Sequence, residues 1–435
     1  MNFLLSAIDG KLVEVMMNRR KIFTRTVSAA ALFGLMQPKE VSAASSLPDA
    51  GLFSSSPEAY WKRIRTEQFL LPDWRIYLNN GSLGVPPKPV VDAVCESLTR
   101  GAGLLTDEYP RWGYETMDVQ RTEYAEFLGC KKDELAFMHN ATEAMSTIAG
   151  GLDLKAGDEV LITDQEHPSG RGPWLQKQAR YGIAVREVAI PLPPKSPEQL
   201  VDLLISAIGP RTRVLSFSGI TSLTGLVMPI RQICDAARAK GVITVVDGAH
   251  MIGQIAFRLA DLGCDFFAGS PHKWMFAPPG CGLLYIREEM LDRLWPNTVT
   301  GNWDNQSLKA ARFMMVGTNN RAVFDGMMAG LRFHKEIGSK KIYARIHQLA
   351  AMVYEKASTS PHVELLTPAD DRMYGSLATF RFKTKETAAF NALCKKRRMW
   401  IIGGDKLRVS SHIHTRPSDI DLLFSTIEET IGAKA

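Results

Sequence analysis

Two short stretches carry residues able to do covalent chemistry. Ser270-Pro271-His272-Lys273-Trp274 follows the buried-type run Asp265-Phe266-Phe267-Ala268-Gly269. An amine at a strand end, among apolar and aromatic neighbours, departs from the usual lysine, whose long stem carries its charge out to water. Upstream, the β-branched run Val242–Val246 ends in Asp247-Gly248-Ala249-His250, which puts a carboxylate at the rim of a sheet. Asp247 and Lys273 lie 26 residues apart, room for a helix and a return strand between two strand ends. Pyridoxal 5′-phosphate (PLP) chemistry needs this pair: the amine forms an imine with the cofactor aldehyde, and the carboxylate keeps the pyridinium nitrogen protonated. The ring then accepts electrons from a substrate α-carbon. Either stretch alone is weak evidence; together and in this order they are strong.

Residues 76–286 must position these groups. Strands are predicted at Glu134–Met138, Glu159–Thr163, Val185–Ile190, Arg213–Phe217, Val242–Val246, Phe266–Ala268 and Leu283–Ile286. Helical patterns lie between them at Glu143–Leu152, Pro197–Ile208 and Ile230–Lys240. That rhythm predicts an α/β fold with a mainly parallel, seven-stranded sheet covered on both faces, whose ligands sit beyond the carboxyl ends of the strands. After about residue 300 one long helical stretch, Val323–Lys356, precedes Ala378–Phe382, a helix near Thr387–Lys396, Lys406–Ser410 and a helix from Pro417. The expected organisation is a large domain over 76–300 and a smaller α+β domain over 301–435. Residues 45–75 form a linker and a segment packing with the small domain.

With these elements placed, the chain resembles the class V aminotransferase family of fold-type I PLP enzymes, and most its isopenicillin N epimerase-like branch. The resemblance spans about Ile76–Leu423 and rests on Leu78-Asn79-Asn80-Gly81-Ser82-Leu83-Gly84, Asn140-Ala141-Thr142-Glu143-Ala144, Glu166-His167-Pro168, Asp247-Gly248-Ala249-His250, Ser270–Lys273, Gly317-Thr318 and Arg408-Val409-Ser410. It implies that Lys273 carries the cofactor as a Schiff base and moves the α-proton, that Asp247 pairs with the ring nitrogen, and that His167 stacks on the ring. His250 and Ser222 would approach the phenolic oxygen. Ala141 and Thr142 open a helix whose free N–H groups suit a phosphate, with Ser270 and His272 closing the opposite side. Thr318 would reach the phosphate of a partner subunit, so a homodimer is implied. Arg408, with Asn80 and Ser82, would hold the substrate, the guanidinium matching an α-carboxylate with two parallel hydrogen bonds.

The family implies a substrate class, an amino acid or a residue of a small peptide, but PLP labilises any bond at the α-carbon. Epimerisation, transamination and elimination, as in cysteine desulfurases and C–S lyases, all stay open, as do a peptide-tailoring aminotransferase and an exported binding protein of the same fold. Desulfurases need a reactive cysteine on the loop before the carboxylate arginine, and Trp400–Leu407 has none. Tyr109, Arg111 and Tyr114 form a candidate substrate-lining stretch. His412 and His414 read as strand positions, with no acidic partner that would make them metal ligands; no metal is expected. Gly280 and Gly282 read as a tight turn.

Composition is that of a globular protein: 435 residues, 45% hydrophobic and 23% charged, with a net charge of +6 spread along the chain, which gives nucleic-acid binding no support. The basic run Asn18–Arg25, the apolar stretch Val27–Met36 and the small residues Val41-Ser42-Ala43 have the anatomy of an export signal over 1–44, with Arg19-Arg20 resembling a twin-arginine pair. A periplasmic protein is expected, without membrane attachment once mature; a cytoplasmic enzyme with a frayed arm is the alternative, and Met17 is an alternative start. The six cysteines, without CxxC spacing, read as buried free thiols.

Overall fold

The computed structural model describes residues 47–108, 116–368, 370–404 and 406–432. The export-signal stretch and Tyr109, Arg111 and Tyr114 lie outside the described residues. In chain order the strands are β1 (Ile76–Tyr77), β2 (Leu135–Met138), β3 (Glu159–Thr163), β4 (Ala184–Val188), β5 (Thr212–Ser218), β6 (Ile243–Gly248), β7 (Phe266–Gly269), β8 (Gly282–Ile286), β9 (Val363–Leu365), β10 (Leu377–Phe382), β11 (Met399–Trp400) and β12 (Lys406–Ser410).

Seven of them form one sheet in the order β2-β8-β7-β6-β5-β3-β4. β8 alone runs antiparallel to its neighbours β2 and β7. Residues 270–281 connect β7 to β8 through a four-residue helix, Pro271–Trp274, in place of a sheet-covering crossover, so β8 returns antiparallel. The central strands are buried on both faces, which is why they read as continuous β-branched and aromatic runs instead of alternating ones. β6 runs two residues past its apolar run, because Asp247 pairs with Ser218 and Ala268, and Gly248 with Gly269. The helix at Ala141–Gly151 packs on this sheet, and Met145, Ile148, Trp174, Phe217 and Phe267 belong to the same buried core.

A second core surrounds the antiparallel sheet β12-β10-β9. Leu349 and Val353 from the helix Ser339–Thr359, and Ile420, Leu423 and Ile427 from the helix Pro417–Thr430, bury against Phe380, Leu407 and Val409. Ile76 and Leu78 join this cluster, since β1 pairs in parallel with β11. The chain then runs along the end of β12: Ser410 N–H donates to Leu78 O at 2.9 Å, and Asn80 N–H donates to Ser410 O at 3.2 Å. This pairing brings Asn79–Ser82 to Arg408. Among the described residues no helix is long and apolar enough to cross a membrane.

Three local expectations need correction. The stretch Val323–Lys356 is two helices, Arg321–Ile337 and Ser339–Thr359, broken at Gly338, whose φ of +98° disfavours a side chain. His412 and His414 lie beyond the end of β12, and their rings stack at 5.8 Å with an 18° interplanar angle. Among the cysteines, Cys95 is exposed and Cys130 half-buried, while the other four are buried; all six are free.

Gly84 shows how closely the segment from β1 approaches the lysine turn. Its N–H donates to His272 O at 2.9 Å, and a Cβ there would sit 2.3 Å from Lys273 O. Gly84→Ala is therefore expected to lower the urea unfolding midpoint, by about 1–3 kcal/mol of overpacking. An unchanged midpoint would contradict the close approach.

Candidate active site

The carboxyl ends of β2, β3, β5, β6 and β7 open on one polar cavity of about 200 Å³. Ser82, Ala141, Thr142, His167, Ser222, Asp247, His250, Ser270, His272 and Lys273 all line it. Arg408, Asn80 and Thr318 are not on its wall.

At one end, β2 runs into Asn140, the N-cap of the helix Ala141–Gly151, whose Oδ1 accepts the Glu143 N–H at 2.9 Å. Gly282 permits this, since a Cβ there would lie 2.6 Å from the Asn140 backbone. Ala141 N–H donates to Ser270 Oγ at 3.2 Å, which ties the helix start to the turn after β7. His272 Nδ1 bonds Cys281 O at 3.0 Å, leaving Nε2 on the other edge of the ring. A helix N-terminus flanked by hydroxyls and an imidazole suits an anion.

At the other end Asp247 is buried, its Oδ1 accepting the Ala249 N–H at 3.0 Å. Among the described residues no hydrogen-bond donor reaches Oδ2. The space beside that oxygen depends on Gly170, where a Cβ would sit 3.1 Å from it. His167 caps the helix Pro168–Tyr181 from the cavity mouth, its Nδ1 accepting the Ser169 N–H at 3.1 Å, so Nε2 bears the proton of the neutral ring. Burial, then the nearby Lys273 charge, lowers its pKa.

Lys273 Nζ lies 3.0 Å from His250 Nε2. Burial lowers the amine's pKa to about 8, with Asp247 opposing the shift and Arg408 reinforcing it. Asn80 Nδ2–H donates to Lys273 O at 2.8 Å and its Oδ1 faces His414 Nε2 at 3.4 Å. Asn80, expected at the substrate, thus fixes the lysine backbone from a fully buried position. His412 and His414 have the same supporting role: His412 Nε2–H donates to Trp274 O at 3.1 Å. Among the described residues no cluster of potential metal ligands occurs.

Arg408 is a buried guanidinium that donates to Ser222 O at 2.7 Å, Asn79 Oδ1 at 3.0 Å and Ser82 Oγ at 2.8 Å. Its Nε is buried with no acceptor, and no carboxylate pairs with it among the described residues. Burial lowers its pKa to about 10. Ser82 and Ser222, which it touches, stand on the cavity wall. A buried cation without an anion is costly unless a ligand supplies one.

Asn79 stood in the sequence only as part of the Leu78–Gly84 motif with no role of its own, since its bond to Arg408 depends on the 76–80 segment lying against β12. Glu166 was visible only as part of a motif. It is buried, and accepts from Thr163 Oγ at 2.6 Å, Ser218 Oγ at 2.7 Å and Ser218 N–H at 3.1 Å. Gly170 adjoins both it and Asp247.

This fold and this site define a PLP-dependent α/β enzyme of fold type I. The chain belongs to the aminotransferase class-V family, whose profile matches residues 76–418. It is 32% identical over 392 residues to the isopenicillin N epimerase of Amycolatopsis lactamdurans, covering 85% of this chain and 98% of that protein. It is 29% identical over 327 residues to a probable cysteine desulfurase of Mycobacterium leprae, covering 70% of this chain and 76% of that one. The solved structure of a C-DES mutant with glycine covalently linked to its PLP cofactor superposes with a TM-score of 0.75 at 23% identity, over 82% of this chain and 97% of that one. The cavity fits the cofactor: an anion-binding helix start at one end, a lysine amine at the wall, and a carboxylate oxygen without a donor beneath.

Burial pushes the Glu166 carboxyl up to about 7, and Asp247 adds to the rise, although the Thr163 and Ser218 hydrogen bonds oppose it. The folded protein thus holds a proton that the unfolded chain releases above 4.5, so this group's contribution to stability falls as pH rises from about 4.5 to 7. In Glu166→Gln the thermal midpoint, relative to the parent, should climb across that window and then level off, by on the order of 3 kcal/mol at most. A difference constant with pH would contradict the assignment.

Proposed function

We propose that this enzyme acts at the α-carbon of an amino acid, or of an amino-acid residue in a small peptide, as an isopenicillin N epimerase-like isomerase. The observation that carries the amino-acid substrate is Arg408, a buried guanidinium with an unsatisfied Nε and no carboxylate among the described residues, and the 32% identity to an isopenicillin N epimerase supports isomerisation. PLP, when bound, supplies the electron sink that acidifies the α-carbon.

The chain's own groups do the rest. Thr142, Ser270, His272 and the helix start would hold the phosphate of PLP, and Asp247 would keep a proton on its ring nitrogen. His167, Ser222 and His250 would complete the pocket around the ring. Arg408 takes the substrate carboxylate and so fixes the α-carbon against Lys273, whose amine moves the proton there.

Elimination is the second reading, supported by the similarity to a cysteine desulfurase. The desulfurase variant is disfavoured because Cys394 is buried in the helix Ala388–Lys396, where burial pushes its thiol up to about 11. Retention of both Lys273 and Asp247 disfavours a mere binding protein.

We further propose a homodimer, in which Thr318, outside its own chain's cavity, serves the partner's phosphate. The residue pattern of 1–44 supports export by the twin-arginine route.

Incubation with amino acids and small peptides in deuterated water tests the reaction. Deuterium at the α-carbon with scrambled configuration is expected; a keto acid, or sulfide with pyruvate, would overturn the epimerase reading. Arg408→Lys should lower kcat/KM by about 10²-fold with the fold intact, since a lysine cannot make the paired contact. Arg19→Lys with Arg20→Lys should leave the protein in the cytoplasmic fraction, whereas unaltered export would remove the twin-arginine proposal.

A further inference from the structure

Trp274 follows the cofactor lysine directly and turns its indole back beneath the site. The ring is fully buried. Its Nε1–H donates to His250 Nδ1 at 3.3 Å, and the opposite nitrogen of that imidazole, Nε2, faces Lys273 Nζ at 3.0 Å. The indole nitrogen can only donate. It therefore requires a lone pair on Nδ1, and the single proton of a neutral imidazole then resides on Nε2. Burial foremost, and the Arg408 charge, hold His250 neutral.

We propose that Trp274 is a positioning residue that selects the tautomer of His250, so that Nε2–H donates to the Lys273 amine and keeps that amine in its unprotonated, nucleophilic form. The opposite tautomer would present a lone pair at Nε2, which accepts from an ammonium and so favours the charged lysine. The choice of tautomer thus sets the direction of the His250–Lys273 hydrogen bond. The inference rests on the assignment of Lys273 as the cofactor lysine.

The indole is held firmly enough to impose this choice. The His412 ring stacks on it at 5.7 Å with a 23° interplanar angle, and His412 donates to the Trp274 carbonyl. Gly253 leaves room for that carbonyl, since a Cβ there would sit 2.4 Å from it. The other charged or titratable groups facing the pair are Asp247 from β6, Arg408 from β12, His167 at its helix cap and His272 in the lysine turn. None of them contacts His250 Nδ1, so the tautomer is left to Trp274.

The test uses the full chain freed of cofactor and needs no turnover. Acetylation of Lys273 by excess acetic anhydride, quantified by peptide mass across pH 6–11 (roughly the range in which lysines titrate), reports the fraction of free amine. The parent should show a midpoint near 8. Trp274→Phe, which keeps an aromatic ring but no donor, should raise the midpoint by about one pH unit, a roughly tenfold loss of reactive amine near neutrality. In a His250→Gln background, where no tautomer exists to select, the same Trp274→Phe change should add no shift. An unmoved midpoint in folded Trp274→Phe, or an equal shift in both backgrounds, would overturn the proposal. Nitrogen-15 NMR of the histidine-labelled parent protein reads the tautomer directly: the signal assigned by its loss in His250→Gln should report Nε2–H, and an Nδ1–H form would refute the inference. Absence of epimerisation would leave all these readouts intact, so the two failures are distinguishable.

Discussion

An amine enclosed beside a carboxylate and a guanidinium is the constraint on which the site depends. Water favours the ammonium form of a free lysine at neutral pH, and only removal from water or a positive neighbour shifts it toward the reactive base. Lys273 has both, because it sits on a short turn at the end of β7, facing the cavity, with Arg408 across from it. The surrounding structure keeps that turn in place: Asn80 and Gly84 bond its backbone from the segment after β1, and His412 bonds the next carbonyl from beyond β12. These contacts come from residues far apart in the chain. The segments that follow β1 and β12 therefore hold the lysine turn.

The sheet topology explains why the two ends of the site differ in character. Parallel strands all deliver their carboxyl ends to one edge, and each following helix presents its N-terminus there. Thr142 and His167 reach the cavity this way, one at the first turn of a helix and the other as a cap. Asp247 arrives instead as the last side chain of a buried strand, where no helix start competes for its free oxygen. The result is a cavity with anion-attracting groups at one end and an acceptor at the other, which matches a molecule carrying a phosphate and a basic ring nitrogen.

Much of this was legible in the sequence. Each of the seven large-sheet strands lies within two residues of its expected bounds, because strands buried on both faces carry an unbroken β-branched and aromatic signal. The residues that line the cavity were legible as a group too, since they sit at strand ends and helix starts, where short motifs determine the backbone. Long-range partners were not. Asn80 reads as a substrate contact until β1 is seen beside β11, and Asn79 belongs to a motif that does not reveal its bond to Arg408. The role of Trp274 depends on an indole turning back toward His250, a direction no spacing rule supplies. Gly338 breaks a helical pattern that stays amphipathic on both sides, so periodicity alone ran through it.

The central claim is that the Lys273 amine binds the cofactor covalently, and it can be read on one residue. Protein incubated with PLP, reduced with borohydride, digested and mapped by mass should lose its visible absorbance band and carry the reduced pyridoxyl group on the peptide containing Lys273, and on that lysine. A pyridoxyl group on other lysines with Lys273 unmodified, or no visible band before reduction, would contradict the account.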